Sequence, residues 1–399
     1  MEEKQMKKLV AMFLAIVMIA ACFAGCGAKG GNDGDAQEYK VAMVTDFGDI
    51  TDQSFNQTTY EACKAFGEAN GIEFNYFKPA GDTTADRVAM IDKAVDEGYN
   101  VIVMPGFVFG GTIVEVAETY SDIKFIALDV GAGEILEAGV PAAGGTYDYN
   151  PANWEVKDYY YEDSVYCAIY QEQLAGYMAG YAAVKMGYEN LGFLGGMAVG
   201  AVLRYGYGFV QGVEAAAVEM GVNPNLKIAF GNQFFGDADI KAAMDTWYAN
   251  GTEIVFACGG GIYVSAAEAA AAAGKKVIGV DTDQAAQIDG TYGEGLTVTS
   301  AMKGLYNTTY NTLTDIIVNG NWAKYSGKIE ALGLTSATDA SANYVGLPVE
   351  STQWNDGFTQ ADYEAMVKGM FEGTIKVSDD ITAIPATVNT TVEDLGNIK

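Results

Sequence analysis

Short apolar runs rich in β-branched residues alternate with helix-period segments along most of the chain. We predict strands at 40–45, 100–104, 124–128, 190–194, 227–230, 253–257 and 276–280. Between strands, apolar or small residues recur on one helical face from Phe55 to Ala69, and 265–273 is nearly all alanine. Ser54 and Gln57 have capping-box spacing, and Gly71 ends the same helix. Such alternation is typical of an α/β fold in which helices cover both faces of parallel sheets.

The predicted strands fall into two sets of similar size, at 39–129 and at 190–281. A domain commonly holds ~100–200 residues, so a chain of 399 residues has room for two doubly wound lobes. We assign 39–160 to the N-terminal lobe, with a return segment near 295–325. The C-terminal lobe comprises 161–294, and 326–399 returns to it.

The start of the chain has the features of a targeting segment. Lysines precede an apolar stretch at 9–21, which is shorter than the ~20 residues that a membrane span needs. The sequence Phe23-Ala24-Gly25-Cys26 then resembles a bacterial lipobox, and Cys22 is an alternative lipidation site. We therefore predict a lipoprotein signal peptide at 1–25 and a flexible tether at 26–38, with the protein anchored by lipid at the extracytoplasmic face of the cell membrane. A plain secretory signal is the alternative.

Composition excludes several classes of function. The chain has no histidine, which removes Ser-His-Asp and Cys-His catalysis and the commonest transition-metal ligand. Its formal net charge of −29 is unfavourable for binding a phosphate backbone, so we expect no nucleic-acid partner. Beyond the leader only Cys63, Cys167 and Cys258 remain, each in an apolar run, and we predict buried free thiols. No phosphate-binding loop, zinc or calcium spacing is present, so we expect no cofactor, no metal and no enzymatic activity.

Polar residues follow several of the predicted strands. Asp46, Asp129 and Asp281 each come directly after a strand, and another strand ends before Gly259 and Gly260. Ligands of open parallel sheets bind beyond the carboxyl ends of the strands, so we expect these residues to share one cleft. Carboxylates there would accept hydrogen bonds from a neutral ligand and repel a phosphate. Taken singly, an aspartate after a strand is more typical of a helix cap or a turn.

Aromatic residues stand close to the same strand ends. Phe55 begins a helix beyond the Asp46 loop, and Phe234 and Phe235 follow the strand at 227–230. Two such rings could hold a flat ligand by stacking. Each alone is more typical of a hydrophobic core.

Six stretches of the chain form a set of sequence motifs. The first, 41–57, reads VAMVTDFGDITDQSFNQ. The others are YQEQLAGY at 170–177, GFLGGM at 192–197, YGFVQGV at 207–213, VIGVDTDQ at 277–284 and TSAMK at 299–303. They are spread from 41 to 303, over most of the chain beyond its leader. Their combination resembles the motifs of the basic membrane protein family, whose members are lipoproteins similar to the bacterial purine nucleoside receptor.

The resemblance implies the type I periplasmic binding protein fold, in which two Rossmann-like, doubly wound lobes are joined by a hinge and close over a nucleoside. It places Asp46 beside the ligand, with Asn56 next to Phe55 in the motif and Phe55 stacked on the base. Asp129 would reach the base or the sugar. It further implies that Asp281 and Lys303 hold the ribose hydroxyls and that Gly259 and Gly260 form the second-lobe ligand loop. Phe234 or Phe235 would supply the second ring; the local spacing does not decide between them, and we favour Phe235.

We therefore expect a monomeric substrate-binding protein of an ABC importer, which captures a neutral nucleoside, with a purine base, and docks on permease and ATPase subunits. A sugar-binding or other small-molecule-binding protein of the same fold is one alternative, and a receptor that feeds a sensor kinase is another. An enzyme of doubly wound fold is the most distant alternative, since a carboxylate or Lys303 would have to act as the base.

Overall fold

The computed structural model describes residues 38–46 and 48–399. The predicted signal peptide, most of the predicted tether and both candidate lipidation sites, Cys22 and Cys26, lie outside the described residues. None of the helices within the described ranges is long and apolar enough to cross a membrane.

The described chain alternates strands and helices from its start. The strands are β1 Lys40–Val44, β2 Glu73–Phe77, β3 Val101–Pro105, β4 Lys124–Leu128, β5 Val165–Tyr170, β6 Asn190–Gly195, β7 Asn225–Phe230, β8 Ile254–Cys258, β9 Lys276–Asp281, β10 Thr297–Lys303, β11 Lys328–Leu332, β12 Val345–Gly346 and β13 Thr391–Asn397. The α-helices are α1 Phe55–Asn70, α2 Thr84–Asp96, α3 Phe109–Val116, α4 Ala132–Ala142, α5 Glu172–Lys185, α6 Gly200–Met220, α7 Ala238–Ala249, α8 Tyr263–Ala273, α9 Ala285–Tyr292, α10 Leu305–Leu313 and α11 Gln360–Phe371. All seven strands predicted from the sequence are confirmed, and their ends differ from the prediction by no more than two residues.

The strands form two separate sheets, one in each lobe. The first has the order β11-β5-β4-β3-β1-β2, and its described pairings are parallel. The second has the order β12-β10-β9-β8-β6-β7-β13, with β12 antiparallel to β10 and the other described pairings parallel. Sequential strands of a parallel sheet need a crossover, and the helices between them supply it.

Burial on both faces explains why the central strands read as continuous apolar runs. In β1, Val41 and Met43 pack in one hydrophobic cluster, whereas Ala42 and Val44 pack in a second cluster on the opposite face. This alternation follows from the two-residue period of a strand. The described thiols of Cys63, Cys167 and Cys258 are free and buried, as predicted.

The chain passes between the lobes more than once, and the sheet pairings change the lobe limits that the sequence suggested. β5 lies beyond the predicted boundary at 160, yet it pairs with β4 in the first sheet. β11 lies beyond the predicted return segment near 295–325, yet it pairs with β5. Between them, β10 belongs to the second sheet, while α10 packs on α1 of the first lobe through the rings of Tyr310 and Phe66. Within the described chain, the crossings therefore lie between β5 and α5, between β10 and α10, and between β11 and β12.

The start of α1 differs from the predicted capping box. Ser54 makes no side-chain cap hydrogen bond, and the carboxylate of Asp52 instead accepts the backbone N–H groups of Ser54, Asn56 and Gln57. An aspartate satisfies such unpaired N–H groups as well as a serine does, and its charge complements the helix dipole. The hydroxyl of Ser54 is therefore available for another contact. Gly71 ends the helix in the left-handed conformation, as predicted.

Candidate functional site

A cavity of about 360 Å³ lies between the two sheets, at the carboxyl ends of strands from both lobes. Its size is in the range of small-molecule sites, which begin at roughly 300 Å³. All the ligand-binding residues predicted from the sequence line it, namely Asp46, Phe55, Asn56, Asp129, Phe234, Phe235, Gly259, Gly260, Asp281 and Lys303. The structure thus brings together residues that are far apart along the chain.

Asp129 and Asp281 occupy equivalent places in the two lobes. Asp129 directly follows β4, and Asp281 is the last residue of β9. Both have left-handed backbones, with φ of 60° at Asp129 and 65° at Asp281. An aspartate tolerates this region better than most residues, but the conformation still costs free energy, and such strain concentrates at functional sites. In each lobe the turn ends the strand and directs a carboxylate toward the cavity.

Lys303, the last residue of β10, lies between these carboxylates. Its Nζ donates a hydrogen bond to Asp129 Oδ2 and lies 3.5 Å from Asp281 Oδ1, so one ammonium group contacts both lobes. Nζ also stands 4.7 Å from the centroid of the Phe55 ring. Burial alone would lower the pKa of Lys303, but the carboxylates of Asp129, Asp281 and Glu172 raise it above its usual value. Lys303 is therefore a cation at physiological pH.

Ser54 and Asp281 connect the lobes a second time. Ser54 Oγ donates to Asp281 Oδ2 at 2.6 Å, and nearby Gln284 Nε2 donates to the carbonyl of Gln53 at 3.2 Å. Ser54 and Gln53 belong to the first lobe, and Asp281 and Gln284 belong to the second. These two hydrogen bonds link the lobes directly across the cleft. Burial raises the pKa of Asp281, and the opposing contacts with Lys303 and Ser54 stabilise its ionised form.

Asp46 lies at the end of β1 in a tightly packed corner. The backbone N–H of Gly48 donates to Asp46 Oδ1 at 2.5 Å. Burial raises the pKa of Asp46 to about 7, which the bonds from Gly48 and Asn56 only partly oppose. A side chain at Gly48 would place its Cβ 2.2 Å from Asn56 Nδ2, so the close approach requires glycine. Near pH 7 this carboxyl group is thus poised to accept or to donate a hydrogen bond.

Aromatic rings enclose the cavity from both lobes. Phe55 lines it from α1, and Phe107, which follows β3, also lines it. The ring centroids of Phe107 and Phe234 are 6.2 Å apart across the cleft, with an angle of 54° between their planes. Phe235 lines the cavity as well but is 58% exposed. The enclosed position of Phe234 favours it over Phe235 as the second stacking ring, contrary to the preference stated from the sequence.

The glycine loop after β8 packs against Phe234. Gly259 and Gly260 have φ of 151° and 49°, a range that side chains rarely adopt. A Cβ at Gly259 would lie 3.0 Å from the Phe234 ring, and the N–H of Gly261 donates to the Phe234 carbonyl at 2.9 Å. The loop therefore fixes the backbone of Phe234 and brings bare backbone to the cavity wall.

Some polar atoms on the cavity wall have no hydrogen-bond partner within the described residues. They are Asn56 Oδ1, Asp129 Oδ1 and the hydroxyl of Tyr205, a buried residue of α6. Buried polar groups are nearly always paired, so these atoms indicate where a ligand or water binds. Two of them are acceptors and the third is a hydroxyl, a pattern suited to a ligand that carries several N–H or O–H donors. Among the described side chains, no grouping of three His, Cys, Asp or Glu could hold a metal ion.

Sequence reasoning missed several residues of this site. Phe107 stands two residues after the end of β3, where no aspartate marks the strand end. Tyr205 lies on the buried face of α6 and reads as core from its spacing. Ser54 was assigned to a helix cap. The motif at 170–177 contains Glu172, which lies 3.7 Å from Lys303 Nζ, but nothing in its spacing suggested that contact.

Comparisons with known proteins agree with this geometry. The sequence model of the Bmp family, described as ABC transporter substrate-binding protein PnrA-like, matches residues 39–356. The chain is 27% identical over 70% of its length to a CD4+ T-cell-stimulating antigen of Listeria innocua, covering 74% of that protein. It is 26% identical over 70% of its length to the ABC transporter nucleoside-binding protein BmpA of Lactococcus lactis, covering 75% of it. A solute-binding protein of an Aeropyrum pernix ABC transporter superimposes with a TM-score of 0.60 at 20% identity, over 85% of this chain and 87% of that one. This likeness confirms the predicted two-lobed α/β fold.

Proposed function

The chain belongs to the family of PnrA-like ABC transporter substrate-binding proteins, and on this premise we propose that it captures an uncharged nucleoside, with a purine base, between its lobes. Family membership confirms the resemblance drawn from the sequence motifs. Substrate-binding proteins of ABC transporters bind small ligands and work with permease and ATPase partners. The observation that carries the proposal is a cavity that is lined by carboxylates and aromatic rings from both lobes and by Lys303.

The charge of the cavity supports an uncharged ligand. Asp46, Asp129 and Asp281 line it together with the cation of Lys303, which already contacts the latter two carboxylates. A phosphate would meet an excess of carboxylates, whereas the hydroxyl groups of a ribose could donate to them. We assign Asp281 and Lys303 to the sugar as acceptor and donor. Asp46 and Asn56 face the base, and Asp129 contacts either the base or the sugar.

The aromatic walls support a flat ring system as part of the ligand. Phe55 and Phe234 stack on the two faces of the base in this proposal, and Phe107 borders it. Stacking of a base on an aromatic side chain contributes about 1–3 kcal/mol. The relative from Lactococcus lactis carries the name of a nucleoside-binding protein, which supports the same ligand class.

Capture proceeds by lobe closure. An open form would separate the Ser54 and Asp281 side chains and the Lys303 and Asp129 side chains, which now meet across the cleft. Ligand contacts from both lobes stabilise the closed form, which docks on the permease. A lipid on Cys26 holds the monomeric protein at the extracytoplasmic face of the membrane. The nucleoside is bound and released unchanged, since the role is transport and not catalysis.

Isothermal titration calorimetry tests the proposal. The full chain, purified in detergent, is titrated with guanosine, inosine, adenosine, cytidine and uridine, and with arabinose and galactose as sugar controls. We expect saturable binding of the purine nucleosides, weaker binding of the pyrimidine nucleosides and no heat with the sugars. Binding of a sugar without binding of any nucleoside would overturn the ligand assignment.

A further inference from the structure

Glu172 is a buried carboxylate directly behind the proposed binding site. It is the first residue of α5, just after the chain crosses from β5 into the second lobe, and its side chain is 0% exposed. It is not among the described residues that line the cavity. An ionised carboxylate in such a place costs several kcal/mol unless it is paired, so its partners indicate what it does.

The two oxygens of Glu172 contact different cations. Arg204 Nε, on α6, donates to Oε2 at 2.6 Å. Oε1 has no hydrogen-bond partner within the described residues, but it lies 3.7 Å from Lys303 Nζ. Burial raises the pKa of Glu172, while the charges of Arg204 and Lys303 favour its ionised form. Arg204 thus fixes the carboxylate, and the other oxygen faces the lysine.

The contact with Glu172 opposes the attraction of Lys303 toward the cavity. On the cavity side, Nζ bonds Asp129 Oδ2 and stands 3.5 Å from Asp281. Asp129 Oδ1 is left without a partner in the described structure and is available to a ligand. If Glu172 lost its charge, Asp129 and Asp281 would still attract the ammonium group of Lys303, and the pull from the Glu172 side would be gone. The ammonium group would then move toward the two aspartates and compete with the ligand for their oxygens.

We propose that Glu172, held by Arg204, is a positioning residue that keeps Lys303 at the depth at which Asp129 and Asp281 can bind the ligand. This inference rests on the proposed function, because it takes the ligand to be a nucleoside held by these residues. Glu172 acts through Lys303 and does not itself touch the ligand.

Two substitutions of Glu172 separate charge from packing. Glu172→Gln keeps the volume and removes the charge, whereas Glu172→Asp keeps the charge and shortens the side chain. We expect Glu172→Gln to weaken nucleoside binding by about tenfold and Glu172→Asp to weaken it less. A purely packing role predicts the reverse order. Guanosine titration with the full-length protein, together with thermal unfolding of each variant, gives the two measurements.

The chain offers a matched control on the same two helices. Lys185 and Glu219 form an ion pair of 2.9 Å at the other ends of α5 and α6. Glu219→Gln therefore removes a charge between the same helices away from the cavity, and it should leave guanosine affinity within about twofold of the wild type. Equal loss of affinity in Glu219→Gln and Glu172→Gln would overturn the positioning role.

The remaining outcomes are also decisive. Wild-type affinity in Glu172→Gln overturns the inference and leaves the proposed function intact, whereas a wild-type protein that binds no nucleoside removes both. If Glu172→Gln does not fold, Arg204→Gln replaces it. That change frees Glu172 to draw Lys303 away from the cavity and should weaken binding by about fivefold, and unchanged affinity would reject the inference.

Discussion

Ser54 and Asp281, which stand 227 residues apart in the sequence, are joined by a hydrogen bond of 2.6 Å from Ser54 Oγ to Asp281 Oδ2 across the cleft. The bond exists because Asp52, and not Ser54, caps α1. One short loop of the first lobe thus contributes a cap at its own helix and a contact to the other lobe.

Loss of this hydroxyl should favour the open form. We expect Ser54→Ala to weaken guanosine binding by about fivefold, because the closed state loses one hydrogen bond to a charged group. Calorimetry measures the affinity, and small-angle X-ray scattering of the free protein measures the degree of closure. Ser326→Ala is the control, since that hydroxyl bonds the Asp163 carbonyl at the surface. An unchanged affinity in Ser54→Ala would show that the bond does not stabilise closure.

The raised pKa of Asp46 makes stability depend on pH. The unfolded carboxyl ionises near its ordinary value of 3.8, whereas the folded one keeps its proton up to about 7. Its contribution to stability is therefore full below pH 4 and is lost as pH rises through 7. Between pH 5 and 8, we expect the free energy of unfolding to fall by about 3 kcal/mol more in the wild type than in Asp46→Asn, because the contribution of Asp46 changes by about 1.4 kcal/mol per pH unit between pH 5 and its folded pKa of about 7.

Chemical denaturation at the two pH values measures this difference. The control is Asp315→Asn. Hydrogen bonds from Lys324 and the neighbouring amides lower the pKa of Asp315, so its contribution changes only below the tested range. Asp315→Asn should therefore keep the wild-type difference between pH 5 and pH 8. If Asp46→Asn also kept it, the carboxyl would not titrate in this range.

The two neighbouring phenylalanines after β7 allow a direct test of stacking. Phe234 contacts the glycine loop and faces Phe107, whereas Phe235 is 58% exposed. We expect Phe234→Ala to weaken purine nucleoside binding by about tenfold or more and Phe235→Ala to weaken it by no more than about threefold. Calorimetry with inosine compares the two variants. The opposite order would restore Phe235 as the stacking ring.

Two matched substitutions test the predicted lipid anchor and its position. We expect Cys26→Ser to abolish incorporation of labelled palmitate and to release the protein from the membrane fraction, while Cys22→Ser behaves as the wild type. Radioactive labelling and fractionation of cells that produce each variant measure both properties. Label retained in Cys26→Ser but lost in Cys22→Ser would move the anchor to Cys22.

Much of the fold can be predicted from the local pattern of apolar residues, because a parallel strand that is buried on both faces is a continuous apolar run in the sequence. The strands that escaped prediction lack this property or lie in ambiguous surroundings. β2, Glu73–Phe77, is an edge strand whose residues are mostly exposed, so its apolar residues do not form a run. β5, Val165–Tyr170, is buried but begins just after the lobe boundary predicted at 160. Membership of a sheet is set by pairing partners, which local periodicity does not contain.

Site residues could be predicted from the sequence where their place at the end of a strand alone brings them to the cavity. Asp46, Asp129 and Asp281 meet because parallel strands of both lobes present their carboxyl ends to one cleft. Which of Phe234 and Phe235 is better placed for stacking was not predictable. Both follow the same strand, and only the packing of the glycine loop against Phe234 distinguishes them. Glu172 was not predictable for a similar reason, because its partners come from α6 and β10.

The crossings between the lobes have a consequence for the order in which the protein can fold. The edge strand β11 of the first sheet follows β6 to β10 of the second along the chain, and β13 of the second sheet ends at Asn397. A chain that emerges from a ribosome or a translocation pore with its N-terminus first cannot complete the first sheet before β11 is free, nor the second sheet before β13 is free. Neither lobe can therefore be produced alone by cutting the gene at one point, and each must mature in the presence of the other.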